Sequence, residues 1–264
     1  MKRSDALIRT GMTYVLRNRP KRLLTRMFGQ RWRAPLLRFS AFGPRVSVLE
    51  GETVVLGGCY RYETLRSFYD VVGPNGRIVA IEANGRYVEK LRERMAADPV
   101  MREAKNVFLV AKGIWNERGR MTFIANEGDD AALDKIDSRR LRDFSYHKVE
   151  RVERFEIEVD SLDNILDDVG VDTVDFVLLT INDAELLALD GVDRLIRRNP
   201  DVRFLVHSQS PYPGDLVKRK LVDKGYAIRS CPIAGSKLEK IYAYRASDSR
   251  ERGDAVVHSS SGAT

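Results

Sequence analysis

The stretch from Thr53 to Asn84, TVVLGGCYRYETLRSFYDVVGPNGRIVAIEAN, constrains this chain most. Thr53-Val54-Val55-Leu56 is a short apolar run rich in β-branched residues, which reads as a buried strand. Gly57-Gly58 follows, where a backbone can turn sharply and approach a ligand with no side chain in the way. From Tyr62 to Val72 the apolar residues Leu65, Phe68, Val71 and Val72 fall at helical spacing, and Gly73-Pro74-Asn75-Gly76 is a dense turn signal. Arg77 to Ile81 is a second buried strand, ending on Glu82. Strand, helix, strand in this order makes the two strands parallel and the crossover right-handed.

A glycine turn after the first strand and an acid at the tip of the second is a nucleotide-site arrangement. The turn admits a ligand to the helix N-terminus, and the acid accepts hydrogen bonds from ribose hydroxyls. A dinucleotide site would want G-x-G-x-x-G. Here Cys59, Tyr60, Arg61 and Tyr62 follow Gly57-Gly58, so no pyrophosphate cradle is spelled out. A nucleoside ligand without a phosphate fits better, and S-adenosylmethionine is the obvious one. The plain alternative is an ordinary α/β turn with a surface Glu.

The rest of the chain continues the alternation. A helix is expected from Tyr87 to Met95, strands at Asn106–Ala111 and Arg120–Ala125, and a long loop or lid over Asn126–Val149. Phe155–Val159 alternates as a strand, and Ser161 is placed to cap a helix through Ile165 and Leu166. Val174 to Leu179 is the most apolar strand and should be central. One helix is expected from Ala184 to Arg198, then a strand from Val202 to Val206. A helix from Leu216 to Lys224 precedes Gly225. Tyr226–Ile233 and Lys240–Tyr244 read as a closing antiparallel pair. The predicted fold is α/β, a doubly wound and mostly parallel sheet with an antiparallel C-terminal hairpin and an N-terminal helical arm. Ligands in such sheets sit outside the carboxyl ends of the strands, which gathers Gly57, Gly58, Glu82, Lys112, Gly113, Asn182, Asp183 and His207 around one crevice.

Composition divides the chain. Residues 1–45 hold twelve bases against one acid, Asp5, a net of +11, whereas the whole chain is +7, so the remainder is at −4. The basic balance therefore belongs to an arm. Its two amphipathic pieces, separated by Pro20, can lie on an anionic membrane surface or pack on the domain with their arginines solvated. No aromatic platform interleaves these bases, so nucleic acid is not an expected partner. The expected layout is an arm over 1–45, a domain over 46–246 and a disordered tail over 247–264. Cys59 and Cys231 lack metal-ligand spacing, as do His147, His207 and His258, so no metal site is expected. With no long apolar run or secretory segment, a cytoplasmic protein is expected, with the arm as its route to a membrane surface.

Two blocks carry a resemblance. Val159-Asp160-Ser161-Leu162-Asp163-Asn164-Ile165-Leu166 is followed by Val174-Asp175-Phe176 and by Ala184-Glu185-Leu186, Leu189 and Gly191. With the glycine turn and the VGPNGRIVAIEAN run, this resembles the FkbM-type S-adenosylmethionine-dependent methyltransferases from about Val54 to Val206. Where that pattern has an acid, an Asn and a Gly around the turn, this chain has Val55, Cys59 and Arg61. Where it has Lys, Asp, Glu and Gly, this chain has Leu178, Thr180, Asn182 and Asp183. Glu185 stands.

The resemblance implies methyl transfer to a hydroxyl of a sugar, lipid or other small molecule. A divergent non-catalytic binding or assembly module is the alternative. On this reading Gly57, Gly58, Tyr62, Glu82, Asn84 and Gly113 hold the cofactor. Asn182 and Glu185 hold the acceptor, and Asp183 or His207 takes its proton.

Overall fold

A computed structural model of the chain describes residues 48–126, 135–136, 152–209, 212–232 and 238–245. The expected arm, the expected tail and nearly all of the expected lid lie outside the described residues. The opening unit folds as its pattern requires: β1 (Thr53–Gly57), α1 (Tyr62–Val72), β2 (Arg77–Ile81), then α2 (Gly85–Ala97) and β3 (Val107–Val110). All five residues of β1 are buried, as expected of a parallel strand covered on both faces. The second half supplies β8 (Phe176–Leu179), β9 (Arg203–Gln209), α6 (Tyr212–Asp223), β10 (Ala227–Pro232) and β11 (Leu238–Tyr244).

These strands form one seven-stranded sheet in the order β10-β11-β9-β8-β1-β2-β3. β3, β2, β1, β8 and β9 are parallel. The expected C-terminal pair is antiparallel, with the last strand inserted between β9 and β10. Chain order reverses between β1 and β8, which is the switch point.

Side chains alternate between two cores. Val55, Val79, Leu179 and Val206 pack with Leu162, Ile165, Val217 and Leu221 on one face. Leu56, Ala80, Phe176, Leu205 and Tyr242 pack with Leu65, Val72 and Leu91 on the other. At the amino edge Arg203 Nη2 donates to Glu52 Oε1 at 2.7 Å, both groups buried. Thr53 N donates to Asp175 Oδ2 at 2.8 Å, so the family block's Asp175 serves as a strand anchor.

Three expectations change. First, Gly113 opens a strand, β4 (Gly113–Trp115). β4 joins β5 (Gly119–Asn126), β6 (Lys135–Ile136) and β7 (Val152–Ser161) in a second sheet of order β4-β7-β5-β6. β6 falls within the stretch expected as an irregular loop and pairs with β5. Second, the apolar face of this sheet, Trp115, Phe123, Ala125, Ile157 and Val159, packs on Ala83, Ile181, Ala184 and Leu187. It therefore sits over the loops that leave β2 and β8.

Third, the single helix expected from Ala184 to Arg198 is two, α4 (Glu185–Ala188) and α5 (Asp193–Arg198). They part at Gly191, where a Cβ would stand 2.7 Å from Ser161 Cβ and 2.9 Å from the Trp115 carbonyl oxygen. The preceding helix, α3 (Leu162–Asp168), is capped by Ser161, whose Oγ accepts from Asn164 N at 3.2 Å. Asp163 in turn accepts from Arg194 N (2.8 Å) and Leu195 N (2.7 Å) at the start of α5.

Candidate functional site

The parallel ladder continues one residue past the strands. Thr180 N donates to Gly57 O at 3.0 Å, Gly58 N to Ile81 O at 2.9 Å, and Glu82 N to Val110 O at 3.0 Å. Gly57 pairs with Ile81 and Leu179, and Leu179 with Val206. The next level of the sheet is therefore Glu82, Gly58, Thr180 and His207. Lys240 pairs with His207, and Cys231 with Lys240, so this row runs across six strands at the carboxyl edge. By strand alternation it lies on the face of Ala80, Leu205 and Tyr242.

Glu82 is buried, and its Oε1 accepts from Asn84 N at 2.9 Å. Asn84 caps α2, its Oδ1 accepting from Arg86 N at 3.1 Å. The acid thus sits in a compact turn at the tip of β2. Cys59 is buried nearby, and burial, with the Glu82 charge added, pushes its thiol far up. It is a packed thiol with no thiolate character. Gly58 has φ +77°, and a Cβ there would stand 2.0 Å from Thr180 O. Gly57 would likewise meet Ile114 Cδ1 at 2.7 Å. Gly58 is thus required by the close passage of the turn past β8, whereas a side chain at Gly57 would press first on the movable end of Ile114 in β4.

The N-cap of α1, Arg61, puts no side chain on the first-turn amides. Tyr62 points to α2: its hydroxyl donates to Asp98 Oδ2 at 2.7 Å, and burial together with that bond pushes the phenol up to about 12. Gly113 is held in β4 opposite Val159. Beside it, Lys112 Nζ pairs with Asp168 at 2.9 Å and lies 3.7 Å from Asp160. Asp160 is wholly buried, takes Arg118 Nε at 2.6 Å, and accepts from Ser161 N and Asn164 Nδ2.

The loop after β8 is the conformationally unusual segment. Asn182 (φ +49°) and Asp183 (φ +77°) both occupy the left-handed region, which costs non-glycine residues about 1–3 kcal/mol each and often marks functional loops. Glu185 is buried beneath it, and its Oε1 accepts from Ile181 N at 3.1 Å. Burial, with the Asp183 charge added, pushes this carboxyl up to about 8. Glu185 therefore closes the loop from inside.

Within β9, His207 Nε2 is buried without a hydrogen-bond partner among the described residues. Burial and the Lys240 charge push His207 down to about 3, so its ring is neutral at physiological pH. Lys240 is not among the residues that the sequence gathers around the crevice, and Thr180 and Cys231 enter it only as an altered family position and as a thiol without metal-ligand spacing. One signal was present: Lys240 puts a charge on the strand face that Leu238, Tyr242 and Tyr244 make apolar. Among the described residues no group of three His, Cys, Asp or Glu is arranged to hold a metal ion. Among the same residues no helix is long and apolar enough to cross a membrane.

Comparison with known proteins gives one family. The methyltransferase FkbM domain matches residues 52–228. No curated protein sequence matches. Among solved structures, a methyltransferase FkbM from Methylobacillus flagellatus KT superposes with a TM-score of 0.52 at 18% identity, covering 75% of this chain and 45% of that one. The present chain thus spans less than half of that relative, and at this identity the likeness concerns the fold. Fibrillarin from Aeropyrum pernix, solved with natively bound S-adenosyl-L-methionine, gives a TM-score of 0.46 at 17% identity over 80% of this chain and 72% of that one.

Proposed function

The chain belongs to the FkbM methyltransferase family, and from that premise we propose that it binds S-adenosylmethionine and methylates a hydroxyl of a sugar, lipid or other small molecule. The observation that carries this reading is the buried Glu82 at the tip of β2, level with the Gly58 turn and beside the switch in strand order. The residues fit such a donor. A carboxylate at Glu82 suits the two ribose hydroxyls. The N-terminus of the eleven-residue α1, left without a side-chain cap, suits the carboxylate of the donor's amino-acid end.

The donor supplies an activated methyl group on a sulfonium. The protein's task is to align the acceptor in line with it, exclude water and take the hydroxyl proton. Asn182 and Asp183, with their left-handed backbone, are on this reading the loop that holds the acceptor. The test is calorimetric titration of S-adenosylmethionine and S-adenosylhomocysteine into the full chain and into Glu82→Gln. Micromolar binding that weakens at least tenfold in the variant is the expected result. Silence from both ligands with a folded protein favours the second reading, a non-catalytic relative. The altered family positions Leu178, Thr180, Asn182 and Asp183, with Tyr60 and Arg61 filling the glycine turn, motivate that reading.

A further inference from the structure

Methyl transfer gives no task to the twelve bases of residues 1–45, which face one acid, Asp5. Their spacing has an order. Ile8, Met12, Val15 and Leu16 recur at the spacing of one helical face, and Lys2, Arg3, Arg9 and Arg17 fall on the other side. After Pro20 the pattern repeats, with Leu23, Leu24, Met27 and Phe28 on one side and Arg22, Arg26 and Arg33 opposite. Such segregation suits the interface of an anionic bilayer, where the apolar side enters the acyl boundary and the bases meet the headgroups. A grip on nucleic acid uses the bases and leaves the apolar side without a role.

Two observations on the domain bear on the arm's partner. Surface acids of the domain already have bases of their own. Asp167 pairs with Arg194 and Arg198, Asp168 with Lys112 and Arg118, and Glu153 with Arg86. Asp190 and Asp193 pair with Lys220 and Lys224. The joint between arm and domain is also fixed. Val48, the first described residue, is 1% exposed and packs with Val54, Leu65 and Val72. Leu49 N donates to Glu52 Oε2 at 2.9 Å, and Gly51 N to Val72 O at 2.8 Å. Glu52 is in turn the buried partner of Arg203. The arm therefore joins at the amino edge of the sheet, the edge opposite Gly58 and Glu82. Independently of the methyl-transfer reading, we propose that residues 1–45 hold the protein on an anionic lipid surface, with this amino-edge joint as the point of attachment. The apolar positions enter the bilayer interface and the arginines and lysines meet the acidic headgroups.

The test is co-sedimentation of the full chain with phosphatidylcholine vesicles and with vesicles that also carry roughly 30% phosphatidylserine. The anionic vesicles alone should bring the protein down, and binding should weaken steeply as salt rises from about 0.1 M to about 0.5 M. Two full-chain variants separate the contributions. Arg17→Gln with Arg22→Gln and Arg26→Gln removes charge. Ile8→Ser with Met12→Ser and Val15→Ser removes the apolar side and keeps the charge. Each is expected to weaken vesicle binding about tenfold or more, at an unchanged thermal unfolding midpoint. Binding that ignores lipid charge, or that both variants retain, overturns the proposal. Capture of a short single-stranded RNA in place of the vesicles overturns it too and makes the arm a nucleic-acid grip. Capture of neither assigns the arm to its own domain. None of these outcomes bears on whether the chain binds S-adenosylmethionine.

Discussion

Glu185 shows how one family-block residue can be read two ways. Its sequence position suggested a contact with the acceptor, whereas its buried carboxyl accepts from Ile181 N and underlies Asn182 and Asp183. The fold holds it near 8, against 4.5 when free, so folding favours the protonated form. Its stabilising share is complete below about pH 4.5, is lost as pH rises towards 8, and changes no further above that. Each tenfold rise in proton affinity on folding is worth about 1.4 kcal/mol at most. Glu185→Gln keeps an oxygen for the Ile181 amide and is predicted to gain roughly 1–3 kcal/mol at pH 8 while changing little at pH 5. Urea unfolding midpoints from pH 5 to 9 check this, and parallel curves for the two proteins would count against it.

At the scale of elements, the VDSLDN block works as a set of caps. Ser161 starts α3, and Asp163 accepts two main-chain bonds that start α5. A six-residue helix cannot hold itself in water, so α5 depends on that carboxylate. Asp163→Ala is expected to cost about 2 kcal/mol and to speed hydrogen exchange at the Arg194 and Leu195 amides. Unchanged exchange at those two amides would show that α5 is held by other means. The same block explains why one helix was expected where two form. From Ala184 to Arg198 the pattern has no proline, and the break comes from Gly191 passing against Ser161 and Trp115, partners remote in sequence.

Across the molecule, the sheet is tied at its amino edge and open to function at its carboxyl edge. The Glu52–Arg203 pair joins the entry to β1 with β9, and the guanidinium also lies over Phe176 at 5.6 Å. Removing one partner leaves a buried charge. Glu52→Ala is therefore predicted to cost about 3–5 kcal/mol, and Glu52→Leu combined with Arg203→Met far less. Thermal unfolding of the three proteins measures the difference, and an additive double variant would contradict it. The sheet β4-β7-β5-β6 packs on the loops after β2 and β8, so it bounds the carboxyl edge of the main sheet from that side.

The βαβ opening, the central β8, the antiparallel closing pair and the acid at the tip of β2 are all legible along the chain. These follow from periodicity, turn residues and strand ends, all local in the chain. The packed fold places the last strand between β9 and β10 and puts Gly113 in a second sheet. It alone set Asn84 to capping α2, Glu185 to closing its loop, and Lys240 level with His207. Each of those depends on strand register and on contacts between residues far apart in sequence. A side chain's face is fixed within a strand by alternation, but its neighbours are fixed by which strand lies alongside and in what register.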